Sequence, residues 1–367
     1  MPLTMSNKQN TQYETAVIIA NLNGKKILRN CLDTLRAQTY RGFKIYVVDN
    51  GSVDGSARMI QREYQEVMLI KGKENAGFAR ANNIGIRQAF AENGEILRFV
   101  CPLNNDIELD QDYLQRLVEA AKKYQAADVP LGILAAKLLF AGERRVINTV
   151  GTVVAFDGSG MERGFKEKDE KQYREPEEIF GSCAAACLYT RKMLEAVSYE
   201  NKAGEACYFD DDFFAYYEDL DLNYRSRLSG FKSFYVPGAV GYHLHSATGK
   251  SYSPFKSFHV HRNQYYVLIK NFPFPYLLQG LFFMPIRYFL LLLSVLIDKG
   301  PSAGLRRNTE EKGVIAIVLS GWWDIITSLP SLMRKRWDIQ KKRAISRREF
   351  GSLLRDYKAS IRKMIFT

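Results

Sequence analysis

Four short apolar runs, each followed by a segment with helical spacing, constrain the fold of this 367-residue chain more than any other feature. They predict strands at 16–20, 43–48, 67–70 and 96–103, and helices at 27–38, 56–64, 78–90 and 113–124. Runs rich in β-branched residues are typical of buried parallel strands, and strand–helix alternation places helices on both faces of a sheet. The sequence therefore predicts an α/β fold with a mostly parallel central sheet.

Three of the predicted strands end in polar residues. Asn21, Asp49 and the pair Asn105 and Asp106 occupy these ends. Open α/β sheets bind their ligands at the carboxyl ends of the strands. We therefore expect the functional site to be assembled from these residues.

The rest of the body is less regular. Strands are predicted at 147–156, 184–189 and 234–236, a polar loop at 157–178, and helices near 191 and at 222–230. Gly230 is expected to end the last of these helices, because glycine adopts the left-handed conformation that terminates helices.

The positive charge of the chain is confined to its last third. The formal net charge is +12, but residues 1–261 hold 33 basic and 33 acidic side chains, whereas residues 262–367 hold 19 and 7. A neutral body argues against a nucleic-acid-binding protein. A basic, apolar tail instead indicates contact with an anionic membrane surface.

The C-terminal region contains two apolar stretches, and both are interrupted. Pro285 interrupts 277–297, Asp324 interrupts 313–329, and a basic segment follows at 334–348. A membrane-spanning helix needs about 20 apolar residues. The sequence therefore predicts a helix pair lying in the membrane interface, with packing on the body as the alternative.

Three regions follow from these patterns. Residues 1–12 are polar and aperiodic, which predicts a flexible N-terminus without the apolar run of a secretory signal. Residues 13–261 form the α/β domain, and residues 262–367 form the helical, membrane-associating region.

The cysteines do not indicate a disulfide framework. Their number, five, is odd, and the chain is large. Cys183 and Cys187 lie in a run of small residues without a nearby histidine, so burial as small apolar side chains is favoured over a metal site. This usage is typical of the cytosol.

Asp106 stands where a ligand of a divalent cation is expected. Mg²⁺ is usually held by one or two carboxylates together with substrate phosphates, and it neutralises charge on a departing diphosphate. The alternative is a helix N-cap, because a predicted helix begins a few residues later. Asp49 suits recognition of a nucleobase edge or a ribose hydroxyl, with an Asx-turn as its alternative.

A segment rich in aromatic and acidic residues contains Glu218, Asp219 and Asp221. A carboxylate among apolar rings has a raised pKa and can act as a general base towards an acceptor hydroxyl. The alternative is that the three acids complement a helix macrodipole, with Arg225 and Arg227 as their partners.

Two of the four histidines, His243 and His245, follow a predicted strand with one residue between them. Alternate residues of a strand point to the same side, so at least one ring can ligate the metal. The alternative is that both are ordinary surface or core histidines.

Five motifs occur in order between residues 16 and 261. They are Val17-Ile-Ile-Ala-Asn21, Val47-Val-Asp49-Asn-Gly-Ser52, Asn75-Ala-Gly77-Phe-Ala-Arg-Ala-Asn-Asn83-Ile-Gly85, Leu103-Asn-Asn-Asp106 and Glu218-Asp219-Leu-Asp221. In this order and spacing the set resembles family 2 glycosyltransferases, and most of all their bacterial rhamnosyltransferase branch. The resemblance implies a GT-A fold, a nucleotide-diphospho-sugar donor and inversion at the anomeric carbon in a single displacement.

The resemblance also implies roles on the donor side of the site. Donor binding falls to Asn21, Asp49, Asn75, Gly77, Asn83 and Asn105. Among these, Asp49 is expected to contact the base, and Asn21 and Asn83 to line the nucleotide pocket.

The remaining roles concern the metal and the proton. By resemblance, Asp219 is the catalytic base with Glu218 beside it, and Asp106 and His243 reach a divalent cation, Mg²⁺ or Mn²⁺. The family's metal motif usually begins with an acid where this chain has asparagine. This departure predicts a weakly held metal that arrives largely with the diphosphate.

Together these patterns predict inverting transfer of a sugar, with rhamnose as the expected one, from a dTDP- or UDP-linked donor. The acceptor would be a glycan or a lipid-carrier-linked glycan of the cell surface, reached from the inner face of the cell membrane. Two alternatives stay open. A sugar nucleotidyltransferase would carry a Gly-rich basic loop where this chain has Asn21-Leu-Asn-Gly24, and a non-catalytic relative would bind a nucleotide sugar or a lipid.

Overall fold

The computed structural model describes residues 13–201, 203–244, 253–298, 311–360 and 364–365. Its first half contains the predicted alternation of strands and helices. The strands are β1 (Thr15–Asn21), β2 (Phe43–Asp49), β3 (Met68–Lys71) and β4 (Phe99–Pro102), and the helices are α1 (Lys25–Arg36), α2 (Ser56–Glu63), α3 (Gly77–Asn93) and α4 (Tyr113–Ala126). These four strands are parallel and lie in the order β4-β1-β2-β3.

The second half of the described structure has ten further strands, of which six join the main sheet beyond β4 and four form two separate two-stranded sheets. They are β5 (Ile107–Leu109), β6 (Leu131–Phe140), β7 (Glu143–Thr149), β8 (Thr152–Val154), β9 (Gly160–Glu162), β10 (Glu177–Ile179), β11 (Cys187–Thr190), β12 (Tyr199–Glu200), β13 (Ala206–Cys207) and β14 (Lys232–His243). The main sheet of the described residues has the order β10-β14-β6-β11-β4-β1-β2-β3, with β5 on β14 and β7 on β6. The helices of this half are α5 (Arg191–Val197) and α6 (Glu218–Leu228).

The α/β fold is confirmed, with four corrections to its details. The sheet is mixed rather than mostly parallel, because β11 runs antiparallel to both β4 and β6. The sequence patterns missed β6, and they joined β7 and β8 into one strand that in fact bends at Gly151, where φ is +126°. Helix α6 begins at Glu218, four residues before the predicted start at 222.

The core forms two apolar layers, one on each face of the sheet. Val17 and Ile19 of β1 pack in the layer that contains α1 and α4, whereas Ile18 packs in the layer that contains α3 and α5. Successive strand residues point to opposite faces. The continuous apolar run of β1 is therefore explained by burial on both sides.

The C-terminal helices pack against the body rather than forming a separate unit. They are α7 (Pro254–Asn271), α8 (Phe274–Leu296), α9 (Glu311–Lys341) and α10 (Arg347–Asp356). Tyr224 of α6 lies in one apolar cluster with Tyr266, Phe272, Leu332 and Phe350. Helix α7 runs through the predicted boundary at 261/262, so the two predicted regions share this helix.

Two of these C-terminal helices, α8 and α9, are rich in apolar residues. Helix α8 continues through Pro285, so the predicted interruption does not end it. The segments Phe274–Ser294 and Ala316–Lys341 are long and apolar enough to cross a membrane by length and composition, a test that buried core helices also pass.

The outward faces of α8 and α9 expose large apolar side chains. Those of α9 recur at helical spacing and are Leu319, Trp322, Trp323, Ile326, Leu329, Met333 and Trp337. Those of α8 include Phe274, Leu278, Phe282, Phe289, Leu292 and Leu296. We call these two stripes the apolar face. Solvent-exposed stripes of this size usually mark a site of interaction.

Candidate functional site

Hydrogen bonds connect the polar residues at the ends of β1, β2 and β4. Asn21 is paired in register with Asp49, and its Nδ2 donates to Asp49 Oδ1 at 3.1 Å. Asn105 Nδ2 donates to Asn21 Oδ1 at 2.9 Å. The Asp49 carboxylate also accepts the Ser52 amide at 3.2 Å. The three predicted donor-side residues therefore form one buried network at the carboxyl edge of the sheet.

Only a residue without a side chain leaves room at Gly24 for this hydrogen-bond network. A Cβ at that position would collide with the side-chain amide of Asn105 and with Asn21 Oδ1. The turn after β1 therefore packs directly on the polar strand ends.

The antiparallel pairing of β5 with β14 brings Asp106 and His243 together. His243 is paired in register with Ile107, and the Leu244 amide donates to the Asp106 carbonyl at 3.0 Å. As a result His243 Nε2 lies 3.2 Å from Asp106 Oδ1, with both side chains buried. Asp106 is not a helix cap, because the N-cap of α4 is Asp112. His245 lies outside the described residues.

The Asp106–His243 pair suits a divalent cation. His243 Nδ1 lies 2.9 Å from Asn148 Oδ1, an acceptor that directs the proton of a neutral ring to Nδ1. In that tautomer Nε2 carries the lone pair, so a cation between Nε2 and the Asp106 carboxylate would find a ligand in each. The described residues hold no group of three or more His, Cys, Asp or Glu that could bind a metal. A cation held by the pair would take its other ligands from phosphate oxygens and water.

Asp219 occupies the first turn of α6, close to the strand ends. Its Oδ2 accepts the Ala184 amide at 3.1 Å, and its Oδ1 accepts the Leu220 amide at 2.7 Å. The next residue, Ala185, accepts the amide of Asn104 at 2.7 Å. Asp219 is therefore tied to the peptide that borders the Asn104–Asp106 turn. Burial raises its pKa, while the two amides favour the charged form.

Glu218 differs from Asp219 in its surroundings. Burial and then the neighbouring charge of Asp219 hold its pKa well above the usual range for a carboxyl. Its Oε2 is buried without a hydrogen-bond partner among the described residues. Its surroundings therefore favour the neutral form of Glu218, whereas the two amides make Asp219 the better placed of the two to carry charge.

Asp221 pairs with basic side chains, which is the structural role that was the alternative for all three acids. Arg225 Nε lies 2.8 Å from its Oδ2, and Lys270 Nζ lies 2.8 Å from its Oδ1. These cations lower the pKa of Asp221 against the effect of burial. Arg227 pairs with Glu178 instead.

The loop before α6 has a strained backbone. Phe214, Tyr216 and Tyr217 all have positive φ, between 62° and 71°. Phe214 is the centre of a γ-turn in which the Ala215 amide donates to the Phe213 carbonyl at 2.7 Å. Left-handed non-glycine residues of this kind cost about 1–3 kcal/mol each and cluster at functional sites.

The predicted donor loop begins α3 and touches this strained loop. The Asn75 side chain accepts the Gly77 amide at 3.0 Å, and the Phe78 amide donates to the Phe214 carbonyl at 2.7 Å. Gly77 has φ of +83°, and a Cβ there would collide with the Phe214 carbonyl. Gly77 thus lets the donor loop meet the loop that leads to Asp219.

Asn83 makes contacts that its residue type did not indicate. It is fully buried, and its amide makes four hydrogen bonds, to Phe209 O, Asp211 Oδ1 and the amides of Tyr208 and Phe209. Its side chain therefore fastens α3 to the segment before the strained loop, and its role at the nucleotide stays a prediction.

The cysteines behave as predicted. All five are free, Cys183 is partly buried, and the other four are buried. Burial raises the pKa of the Cys183 and Cys187 thiols well above the ordinary value, which keeps both thiols neutral.

Comparison with known proteins identifies the family. The family described as Glycosyl transferase family 2 matches residues 16–198, the part that carries the strand-end network, Asp106 and Ala184. The chain belongs to glycosyltransferase family 2. The predicted family is therefore confirmed.

Curated relatives of this family 2 glycosyltransferase include two bacterial enzymes. Glycosyltransferase GlyA of Streptococcus pneumoniae is 35% identical over 119 residues, which are 32% of this chain and only 16% of that protein. The N-acetylglucosaminyl-diphospho-decaprenol L-rhamnosyltransferase of Mycobacterium tuberculosis is 26% identical over 255 residues, which are 66% of this chain and 80% of that protein.

Solved structures show the same fold. The mannosyltransferase PcManGT of Pyrobaculum calidifontis, solved with GDP-Man and Mn²⁺, aligns with a TM-score of 0.50 at 16% identity over 89% of this chain and 88% of its own. TarS of S. aureus aligns with a TM-score of 0.52 at 16% identity over 94% of this chain and 55% of its own. The GT-A expectation is confirmed by these neighbours.

Glu162 of β9 is an acid that the sequence patterns missed in this family 2 enzyme. Burial, reinforced by the charge of Asp219, raises its pKa to about 8. Its Oε2 is buried without a hydrogen-bond partner among the described residues. The predicted polar loop gave no sign that Glu162 has a raised pKa, because its environment depends on the pairing of β9 with β8 and on Asp219 of α6.

The substitution Glu162→Gln should change how the melting temperature depends on pH. The folded pKa of about 8 exceeds the unfolded value of about 4.3. The stabilising effect of the proton is therefore complete below the unfolded pKa and is lost as pH rises through the folded one. We expect the Tm of the wild type to fall between about pH 4 and about pH 8 relative to that of Glu162→Gln, which keeps the neutral shape. The exposed Glu170→Gln serves as control, and parallel curves for wild type and Glu162→Gln would refute the assignment.

Proposed function

We propose that this family 2 enzyme is an inverting glycosyltransferase that moves a sugar from a nucleotide-diphospho-sugar to a glycan acceptor. The observation that carries the proposal is the link from Asp219 through the Ala184–Ala185 peptide to the turn that holds Asp106, which pairs with His243. We infer from this link that a carboxylate base and a two-residue cation site serve one reaction. These are the two functions that direct displacement of a diphosphate by a hydroxyl requires.

The strand-end network of Asn21, Asp49 and Asn105 would hold the nucleotide. Asp106 and His243 would hold Mg²⁺ or Mn²⁺, which when bound neutralises the charge of the departing diphosphate. Because the protein supplies two ligands, the cation is expected to bind together with the diphosphate, as the asparagines before Asp106 also predict.

Asp219 would remove the acceptor proton. As the acceptor oxygen bonds to the anomeric carbon, the bond from that carbon to the diphosphate breaks, and the hydroxyl proton passes to the Asp219 carboxylate. The amides of Ala184 and Leu220 keep one orientation of this carboxylate. Its raised pKa makes it a stronger base than an ordinary aspartate.

The donor and acceptor are inferred from the mycobacterial relative. Its name gives rhamnose as the sugar and a diphospho-decaprenol lipid as the carrier. We therefore infer a dTDP- or UDP-linked hexose, rhamnose first, and an acceptor glycan carried on a lipid diphosphate at the cytoplasmic face of the membrane.

Membrane contact would follow from the apolar face and the charge beside it. Trp322, Trp323 and Trp337 are exposed on α9, and basic residues follow that helix at 341–343 and 347–348. Aromatic side chains and flanking cations are typical of helices that lie in an anionic membrane interface. The enzyme would thus work at the surface that holds its lipid-linked acceptor.

Substitution of Asp219 tests the base. We expect Asp219→Asn to lower kcat by a factor of about 10²–10⁴, the usual contribution of a general base, and to leave the donor Kd unchanged. Glu218→Gln is the matched control and should retain most activity, because burial already favours the neutral form of Glu218. In the wild type the loss of kcat/KM with acid should begin above the ordinary aspartate pKa of about 3.9, since the base must be ionised. Undiminished turnover in Asp219→Asn would overturn the assignment.

A thermal-shift titration tests the cation. UDP or dTDP together with Mn²⁺ should raise the Tm by more than the sum of their separate effects, because each completes the site of the other. Asp106→Asn should remove this excess, whereas Asp110→Asn, an exposed carboxylate nearby, should keep it. Additive shifts in the wild type would contradict a shared site.

Tryptophan emission tests membrane contact directly. The three tryptophans of the chain all lie on the apolar face. Vesicles containing anionic lipid should therefore shift the whole emission to shorter wavelength, and neutral phosphatidylcholine vesicles should do so less. Replacing Trp322 and Trp323 by serine, with Trp337 as reporter, should weaken partitioning. An unchanged spectrum and no co-sedimentation would support packing on the body instead.

A further inference from the structure

The strained loop before Asp219 is held by two side chains from α7. Asn263 Nδ2 lies 3.0 Å from the Phe213 carbonyl, 3.0 Å from the Ala215 carbonyl and 2.7 Å from the Tyr216 carbonyl. Arg262 Nη2 donates to the Asp212 carbonyl at 2.8 Å and also reaches the Phe213 carbonyl at 3.0 Å.

These contacts supply the hydrogen-bond donors that the backbone carbonyls of the strained loop need. The left-handed residues of the loop turn successive carbonyls away from any helix or strand, and a buried carbonyl without a donor is costly. Asn263 is fully buried, and its amide points at three of these carbonyls. The remaining carbonyl, of Phe214, accepts the amides of Phe78 and Ala79 at 2.7 and 3.3 Å. Every carbonyl from 212 to 216 thus has a partner.

We infer that Asn263 is a positioning residue for Asp219. It holds the strained loop in the one conformation that starts α6 at Glu218 and that lets the loop meet the donor loop at Gly77. Arg262 supports the same conformation from the neighbouring position and pairs with Asp324 of α9 at 2.9 Å. The inference rests on the proposed function, in which Asp219 is the base.

The chain offers a matched control on the same helix. Gln264 is also a buried amide, and it donates to the Asp157 carbonyl at 3.1 Å. It makes no hydrogen bond to residues 212–216 within the described structure. Gln264→Leu and Asn263→Leu each remove a buried amide from α7, but only Asn263→Leu releases the loop.

The test compares these two variants in turnover and in amide exchange. Asn263→Leu should lower kcat by about 100-fold more than Gln264→Leu, the effect of a small misplacement of a reacting group, with the KM for the donor nearly unchanged. The amides of Phe78 and Ala79 should exchange hydrogen for deuterium faster in Asn263→Leu alone. If that variant does not fold, Asn263→Ser, which keeps one donor, should show smaller changes in the same directions.

The two readouts separate the inference from the proposed function. Equal losses of kcat in both leucine variants, or unchanged exchange at Phe78 and Ala79, would overturn the role of Asn263. If the wild type transfers no sugar from any nucleotide donor, the proposed function fails. The exchange comparison still decides whether Asn263 holds the loop.

Discussion

A buried ammonium group joins the helix that carries Glu218, Asp219 and Asp221 to the C-terminal region. Lys270 of α7 is fully buried and lies between the carboxylates of Asp210 and Asp221. A buried charge is tolerated only when it is paired, and removing one partner costs about 3–5 kcal/mol. The position of α7 against α6 is therefore fixed by charge as well as by the aromatic cluster around Tyr224. The geometry of the site depends on this pairing, because α7 also carries the side chains that hold the loop before Asp219.

The same helices connect the site to the apolar face. Arg262 reaches the strained loop with one end of its guanidinium and Asp324 with the other. Asp324 follows Trp322 and Trp323, whose rings are exposed. Further along α9, Lys335 pairs with Asp210 and Asp212. The charged side of α9 thus faces the α/β body, and its apolar side faces outward. A surface that binds the apolar side of α9 would therefore lie close to the candidate site.

Sequence patterns predicted the strand ends well and the later parts of the site less well. Asn21, Asp49 and Asn105 lie together because parallel strands end at one edge, a rule that needs no knowledge of the packing. The start of α6 was predicted too late, since Tyr216 and Tyr217 adopt left-handed conformations that nothing in their residue type indicates. Asn83 was predicted to line the nucleotide pocket, and the sequence did not indicate that it also fastens α3 to the segment at 208–211. Glu162 and Asn263 were not identified, because their environments are built by segments far away in the chain.

The sequence by itself determined the α/β class, the family and the candidate acids Glu218, Asp219 and Asp221. These depend on local periodicity and on motifs of adjacent residues. Tertiary structure decided in which direction each pKa is shifted, since burial raises the pKa values of Glu218 and Asp219 whereas Lys270 and Arg225 lower that of Asp221. It also decided that His243 meets Asp106, through the pairing of β14 with β5 across more than one hundred residues of chain. Long-range contacts of this kind follow from the packing of whole elements, which no short segment of sequence specifies.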